Sequence, residues 1–365
     1  MINRIFYFLF VKCIIIYGQN YHYAIEDTQG YNTSGIYRGY TAVSQETDSQ
    51  DIANMKKDGA NIVRWMLYRT WTNLDRQDID IYDEWLEGQL VVLDSVMIVA
   101  EAKNVQVIID LHTPPGEFYS DGSQRLFYET KFTNEYVKVW KKIANRYKKC
   151  SALYAYELLN EPVQTYNAEI LKYDPIEAQC MAAREIRKID SETTLILASK
   201  AWNAPTPFFS VPITELDNII YSVHLYQLME FTHQGIAGFG QVKYAYPGPI
   251  NGWTYYGKEQ IKQVLKTVRD FQLKHNVKIY VGEFSVVRWA QGGDAWLEDA
   301  VAIFEEYNWD WTYHAYCNVE SNPYAANIWS LEFENGEWGK YEGKLSENPS
   351  SRKKVILREF EKNAY

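Results

Sequence analysis

A closed barrel of eight parallel strands wrapped by helices, the (β/α)8 or TIM-barrel class of α/β fold, is the architecture this sequence predicts. Three features carry the expectation. Eight short apolar runs recur along the chain, mostly with helical patterns between them. The runs are nearly continuous in apolar character, as strands buried on both faces are, and parallel pairing is what their long connections allow. Polar residues recur where the runs end, and in such barrels the functional face lies at the strands' C-terminal ends. A doubly wound open sheet is the alternative. It lacks support because no glycine-rich phosphate turn follows the first strand; Gly235-Ile236-Ala237-Gly238-Phe239-Gly240 comes after the sixth and reads as a loop.

Taken in order, the first strand is expected at residues 36–43, followed by a helix over 49–58 that Gly59 stops. Residues 60–66 form the second strand and 83–104 a long amphipathic helix. The third strand, 105–112, runs into Thr113-Pro114-Pro115-Gly116, and a helix covers 134–149. The fourth strand, 153–159, delivers Asn160-Glu161-Pro162, where Pro162 has no N–H to continue a ladder. Next come a helix at 175–189, the fifth strand at 194–199 and the sixth at 219–226. A helix at 257–275, the seventh strand at 277–284 and a helix at 294–307 follow. The eighth strand spans 309–316, and a helix at 353–362 closes the chain. There is no further internal repeat and no Pro- or Ser-rich linker, so residues 19–365 read as one domain.

With 365 residues, 47% hydrophobic and 23% charged, the chain can bury a large core in one or at most two domains. Tyr (30) and Trp (12) are abundant, as core material or as flat surfaces for sugar rings. The net charge of −10, without a Lys/Arg run, argues against a nucleic-acid partner. Of four cysteines, Cys13 falls in a leader-like segment, and Cys150, Cys180 and Cys317 form neither a disulfide framework nor a C-x-x-C pattern. A Cys150–Cys180 bridge and free buried thiols both remain open. Residues 1–18 resemble a secretory leader, with Arg4, an apolar stretch interrupted by Lys12, and Gly18 at the cut. The expectation is a secreted or periplasmic monomer with no membrane segment after leader removal. Asn32-Thr33-Ser34 is a formal glycosylation sequon.

The polar residues at the strand ends are Arg64, His112, Asn160, Glu161, His224, Tyr226 and Glu283. Singly, each reads as structural; together at one end of a barrel they read as one site. Two carboxylates without a thiol nucleophile or phosphate loop suit glycoside hydrolysis, where one carboxyl gives a proton and the other meets the oxocarbenium-like centre. Arg64 would keep Glu283 ionised, with Tyr226 donating to it. His224 would tune Glu161, and the Asn160 amide would reach the sugar 2-OH. Metal binding by His112, His224 and the two acids is the competing use, but no His-x-His or H-E-x-x-H spacing supports it. No cofactor is implied.

Taken with their strands, these residues resemble glycoside hydrolase family 5, the cellulase-type barrels of clan A. Asn160-Glu161-Pro162 matches the family's acid/base motif at strand four and Gly282-Glu283-Phe284 its nucleophile motif at strand seven. Arg64, His112 and His224-Leu225-Tyr226 match its other near-invariant positions, and the resemblance covers most of the chain after residue 36. The runs 230–235 and 309–316 resemble a bacterial cellulase-like branch. The resemblance implies retaining hydrolysis of a β-linked polysaccharide, with Glu161 as acid/base and Glu283 as nucleophile. It also exposes a departure: His314 stands where the family usually has a stacking Trp, and Trp329 would have to fold back to replace it. Trp202, Trp253 and Trp289, just after strands five, six and seven, are sugar platforms or core and lid residues. Three activities are in view: an endo-β-1,4-glucanase first, then a β-mannanase or exo-acting β-glycosidase, and last a non-catalytic glycan-binding barrel.

Overall fold

A computed structural model describes residues 35–70, 76–236, 238–316, 328–341 and 343–364. The leader-like segment 1–18, Cys13, the sequon at 32–34, Cys317 and the side chain of Trp253 lie outside the described residues.

The barrel strands are β1 (Arg38–Val43), β2 (Ile62–Met66), β3 (Gln106–Asp110), β4 (Leu153–Glu157), β5 (Thr194–Ala198), β6 (Ile219–Leu225), β7 (Lys278–Phe284) and β8 (Asp310–Tyr313). Every neighbouring pair is parallel, and β1 closes the ring by pairing with both β2 and β8. This is the (β/α)8 barrel expected.

Strand pleating explains where the interior changes character. Side chains two apart on a strand share a face. Ile62, Ile108, Ala155, Ile196, Ile220 and Tyr280 form a separate buried cluster that plugs the barrel. Two residues further along four of these strands stand Arg64, Asp110, Glu157 and Ser222. All four are fully buried. The same pleat therefore carries an apolar plug and, one layer above it, a polar floor. Gly282 makes room on β7: a Cβ there would lie 2.9 Å from His224 Nε2 and 3.0 Å from Ser222 Oγ.

The second, larger core lies between strands and helices. Helix α1 (Ser49–Asp58) starts on a capping box formed by Asp48 and Asp51 and stops at left-handed Gly59. In α2 (Ile79–Lys103), Tyr82, Leu86, Leu90, Leu93, Val96, Met97 and Ala100 are buried at helical spacing. Helices α3 (Thr130–Tyr147), α4 (Pro175–Arg187), α5 (Lys258–His275), α6 (Gly293–Tyr307) and α7 (Ser351–Phe360) complete the outer layer.

The structure differs from the sequence expectation in several places, and α3, expected from residue 134, begins at Thr130. Helix α2 begins four residues early because Asp78 caps it, accepting from the N–H groups of Asp80 and Ile81. Strands β3, β4, β6 and β8 end before His112, Asn160, Tyr226 and His314, which therefore sit in rim loops. The connection from β5 to β6, where the sequence signals no helix, carries a 3-10 helix, Thr206–Ser210. A hairpin of Gly248–Ile250 and Trp253–Tyr256 follows β6. Its turn signal is present: Asn251-Gly252 adopt φ of 42° and 83°, the left-handed pair that two-residue hairpins favour. Cys150 and Cys180 are free thiols. No helix among the described residues is long and apolar enough to cross a membrane.

Gly39 tests the β1–β2 seam. A Cβ on it would lie 1.7 Å from the Ile62 carbonyl oxygen, so Gly39→Ala must part the two strands. The expected loss is about 3 kcal/mol or more by denaturant unfolding. Gly88→Ala, on exposed α2 surface with nothing within 4 Å, should instead gain about 0.5–1 kcal/mol.

Candidate active site

Arg64 organises the polar floor. From β2 its Nε donates to Glu157 Oε2 at 2.5 Å and its Nη1 to Glu283 Oε1 at 2.7 Å. Its Nη2 donates to Asn160 Oδ1 at 2.9 Å and pairs with Asp110 Oδ2 at 3.0 Å. Burial works against its charge, but Asp110, Glu157 and Glu283 outweigh it and hold its pKa well above the ordinary value. Burial pushes Glu157 upward in spite of the Arg64 contact. Ser222 Oγ adds a donor to Glu157 Oε1 at 3.2 Å.

Glu283 is enclosed, with both oxygens occupied: Oε1 by Arg64 and Oε2 by the Tyr226 hydroxyl at 2.9 Å. Burial would raise its pKa, yet His314, His224 and Arg64 together take it well below the usual carboxylate range. His314 Nδ1 lies 3.7 Å and His224 Nδ1 3.9 Å from Oε2. Burial pushes His314 itself down to about 4, so near neutral pH it is uncharged and hydrogen bonds Thr41 Oγ1 at 3.0 Å. The ionised state of Glu283 then rests on Arg64 and His224. For His224, burial is outweighed by Glu283 and Glu161, and its pKa rises above 6.5.

Glu161 occupies a different setting. It follows β4 with a left-handed φ of 39°, and its side chain is 27% exposed. His224 Nδ1, as the protonated nitrogen, donates to Glu161 Oε1 at 2.8 Å. The loop is clamped from behind by buried Gln124, whose Nε2 donates to the Glu161 carbonyl at 3.0 Å and whose Oε1 accepts from Val163 N at 2.7 Å. A non-glycine residue held in the left-handed region by such a clamp fits a functional position. The register of β6 and β7 shifts between Val223 and His224, which sets His224 opposite Glu283. As a result, a carboxylate oxygen of Glu161, a ring nitrogen of His224 and a carboxylate oxygen of Glu283 lie within 4.8 Å of one another.

These three are the group among the described residues with spacing for a metal ion. The donor set does not favour one: both Glu283 oxygens already accept hydrogen bonds, and the Arg64 charge sits 2.7 Å from Oε1. The arrangement suits proton transfer and charge stabilisation instead.

Above the acids opens a cleft of about 250 Å³, lined among others by Glu46, Tyr68, His112, His314 and Trp329. His112 Nδ1 bonds Asp110 Oδ2 at 2.8 Å, which leaves Nε2 to accept from Asn160 Nδ2 at 3.2 Å. Trp329 does fold back onto the cleft, its ring centroid 6.0 Å from Tyr226 and 6.4 Å from His314. The other tryptophans are placed elsewhere. Trp202 stands 50% exposed, outside the lining of this cleft, and its backbone N–H donates to the Pro162 carbonyl at 3.3 Å. Trp289 is only 9% exposed, gives its Nε1–H to the Gln234 carbonyl at 2.6 Å, and lines a different cleft. Asp110 and Glu157 are the site residues that the reading of strand ends passed over. Their signal was an acid closing the apolar runs of β3 and β4, an expensive choice unless a buried cation waits for it.

Residues 18–320 match the family model Cellulase (glycosyl hydrolase family 5). Endoglucanase C of Acetivibrio thermocellus is 26% identical over 311 residues, covering 76% of this chain and 88% of that protein. The clostridial cellulose synthase subunit Z of Clostridioides difficile superposes with a TM-score of 0.63 at 21% identity, over 88% of this chain and 99% of that one. Cel5A of Thermotoga maritima has been solved with cellobiose and with mannotriose. Those structures give TM-scores of 0.61 and 0.59, each at 20% identity over 88% of this chain and 97% of the other. Since the family match spans most of the chain, the protein is a glycosidase and belongs to glycosyl hydrolase family 5.

Proposed function

We propose that the enzyme cuts β-1,4-glucan chains internally by double displacement, with Glu161 as acid/base and Glu283 as nucleophile. The observation that carries this is the separation of the two carboxylates: an oxygen of each within 4.8 Å of the other. Retaining enzymes hold the pair about 5–5.5 Å apart, whereas inverting enzymes need about 6.5–9.5 Å to seat a water. In the first step a Glu283 oxygen attacks the anomeric carbon while Glu161 gives its proton to the departing glycosidic oxygen. The C–O bond breaks and a glycosyl ester forms on Glu283. In the second step water attacks the same carbon, Glu161 takes its proton, and Glu283 leaves as the carboxylate. Arg64 and Tyr226 stabilise that carboxylate before and after, and the Asn160 amide, oriented by Arg64, would meet the 2-hydroxyl.

Glucan is favoured because Endoglucanase C, among the relatives, covers most of this chain. Mannan is the second reading, since Cel5A was solved with mannotriose as well as cellobiose. The two sugars differ at C2, the position Asn160 would contact. We also propose that residues 1–18 act as a secretory leader, on the strength of Arg4 and the apolar run after it, and that the mature enzyme works outside the cytoplasm as a monomer.

Azide rescue separates the two acids. With a dinitrophenyl cellobioside, Glu161→Ala plus azide should yield the β-glycosyl azide and Glu283→Ala plus azide the α-anomer. Swapped anomers, or undiminished hydrolysis by either variant, would refute the assignment. A falling viscosity of carboxymethylcellulose ahead of reducing-end release is expected for internal cutting; faster turnover of mannan would promote the second reading.

Tyr226→Phe removes one donor to an ionised carboxylate, an interaction of about 1.5–3 kcal/mol. A roughly 10- to 100-fold loss in kcat/KM is expected. The acid limb of the pH profile, expected below the usual carboxylate range in the parent because Glu283 is depressed, should move to higher pH. An unmoved limb would mean that Tyr226 does not hold Glu283 ionised.

A further inference from the structure

A second and larger cleft, of about 700 Å³, opens where the loops after β6, β7 and β8 meet. Its volume falls in the range of ligand clefts. We propose that it binds a further stretch of the β-linked polysaccharide, an inference that rests on the substrate class argued above. The first support is aromatic. Trp289 and Trp338 both line the cleft and converge over Gly235, a residue with φ of 81°. A Cβ built there would lie 3.0 Å from Trp289 Nε1 and 3.1 Å from Trp338 Cε2, so a side chain at this left-handed position would press on both indoles. Trp289, nearly buried and held by its bond to the Gln234 carbonyl, gives the cleft a rigid wall, which lowers the entropy lost when a sugar packs against its edge.

The second support is a buried donor without a partner. Gln234 lines the cleft and is 1% exposed. Its Oε1 accepts from Tyr244 N at 2.8 Å, but its Nε2 has no hydrogen-bond partner among the described residues. Buried amide donors are nearly always satisfied, and a sugar hydroxyl is a group that would satisfy this one. Around it stand one cation and one anion, Lys243 and Glu337, with Lys243 Nζ 5.4 Å from the Trp338 ring. Balanced charge with aromatic walls fits a neutral glycan better than a phosphate or a nucleic acid.

The two clefts share a wall. Gln234 follows His233, whose ring centroid lies 4.8 Å from that of Trp329, and Trp329 lines the catalytic cleft. A long chain seated over Glu161 and Glu283 can therefore continue toward Trp338, and its second contact forms at high effective concentration. A short substrate cannot use it.

Affinity electrophoresis of the Glu283→Gln protein through gels containing β-glucan or galactomannan reads binding without hydrolysis. Adding Trp338→Ala, or separately Lys243→Met, should weaken retention about three- to tenfold, the range of one lost aromatic contact. Trp338→Tyr should recover most of it. In the otherwise intact enzyme, Trp338→Ala should leave turnover of an aryl cellobioside unchanged. Retention equal to that of Glu283→Gln alone overturns the inference. So does a matching loss of aryl cellobioside turnover, which would make Trp338 part of the catalytic cleft. An intact enzyme that turns over no glucoside or mannoside would instead defeat the substrate reading beneath it.

Discussion

The guanidinium of Arg64 is the contact on which the site depends. It is buried with no solvent of its own, and four groups from three other strands and a rim loop close around it: Asp110, Glu157, Glu283 and Asn160. A lone buried carboxylate is costly, and removing one partner of a buried pair is strongly destabilising, typically by about 3–5 kcal/mol. Neither Asp110 nor Glu157 could occupy the barrel interior without this cation. The planar fork of an arginine also fixes directions, so the carboxylates it binds are held at set angles as well as distances. The protein thereby obtains a rigid floor whose upper edge is Glu283.

From that floor the two acids acquire different characters. Glu283 lies nearly buried at the base of the cleft with two donors and two histidines nearby, an environment that favours the bare carboxylate. Glu161 stands higher, partly open to the cleft, and bonded to a single imidazole. His224 links them, donating to Glu161 and lying near Glu283. His314, half-buried at the cleft wall and driven to the neutral form, fills space beside Glu283 without adding charge near neutral pH. Two carboxyl groups of the same chemistry thus differ in burial and partners, and the roles proposed for them, acid and nucleophile, use that difference.

Much of this was legible in the amino-acid order because it follows from periodicity. The apolar runs marked the barrel strands, and the polar residues just past them marked the rim. Less was legible where direction matters. Arg64 could be seen to sit on β2, but its inward aim follows from Ile62 two residues earlier facing the plug, which becomes visible only once the ring closes. Strand ends were set too late because, past the regular pairing, rim residues still bond to neighbouring strands, as Leu158 N does to the Ile196 carbonyl at 3.0 Å. Trp289 and Trp329 both lie in loops at the same end of the barrel; which cleft each faces depends on loop paths that no pattern encodes. The 3-10 helix after β5 likewise escapes a reading by hydrophobic period, because Pro205-Thr206-Pro207 sets it through local backbone preference.

The central claim is that Glu283 is the ionised group that bonds to the sugar, face to face with Glu161. Incubation with a 2-deoxy-2-fluoro cellobioside bearing an activated leaving group slows the second step and accumulates the ester. Intact-mass and peptide mass spectrometry should then find one added fluoro-sugar, carried on Glu283 alone. A stoichiometric label on Glu161 or another side chain would contradict the account, as would inverted product with no label at all.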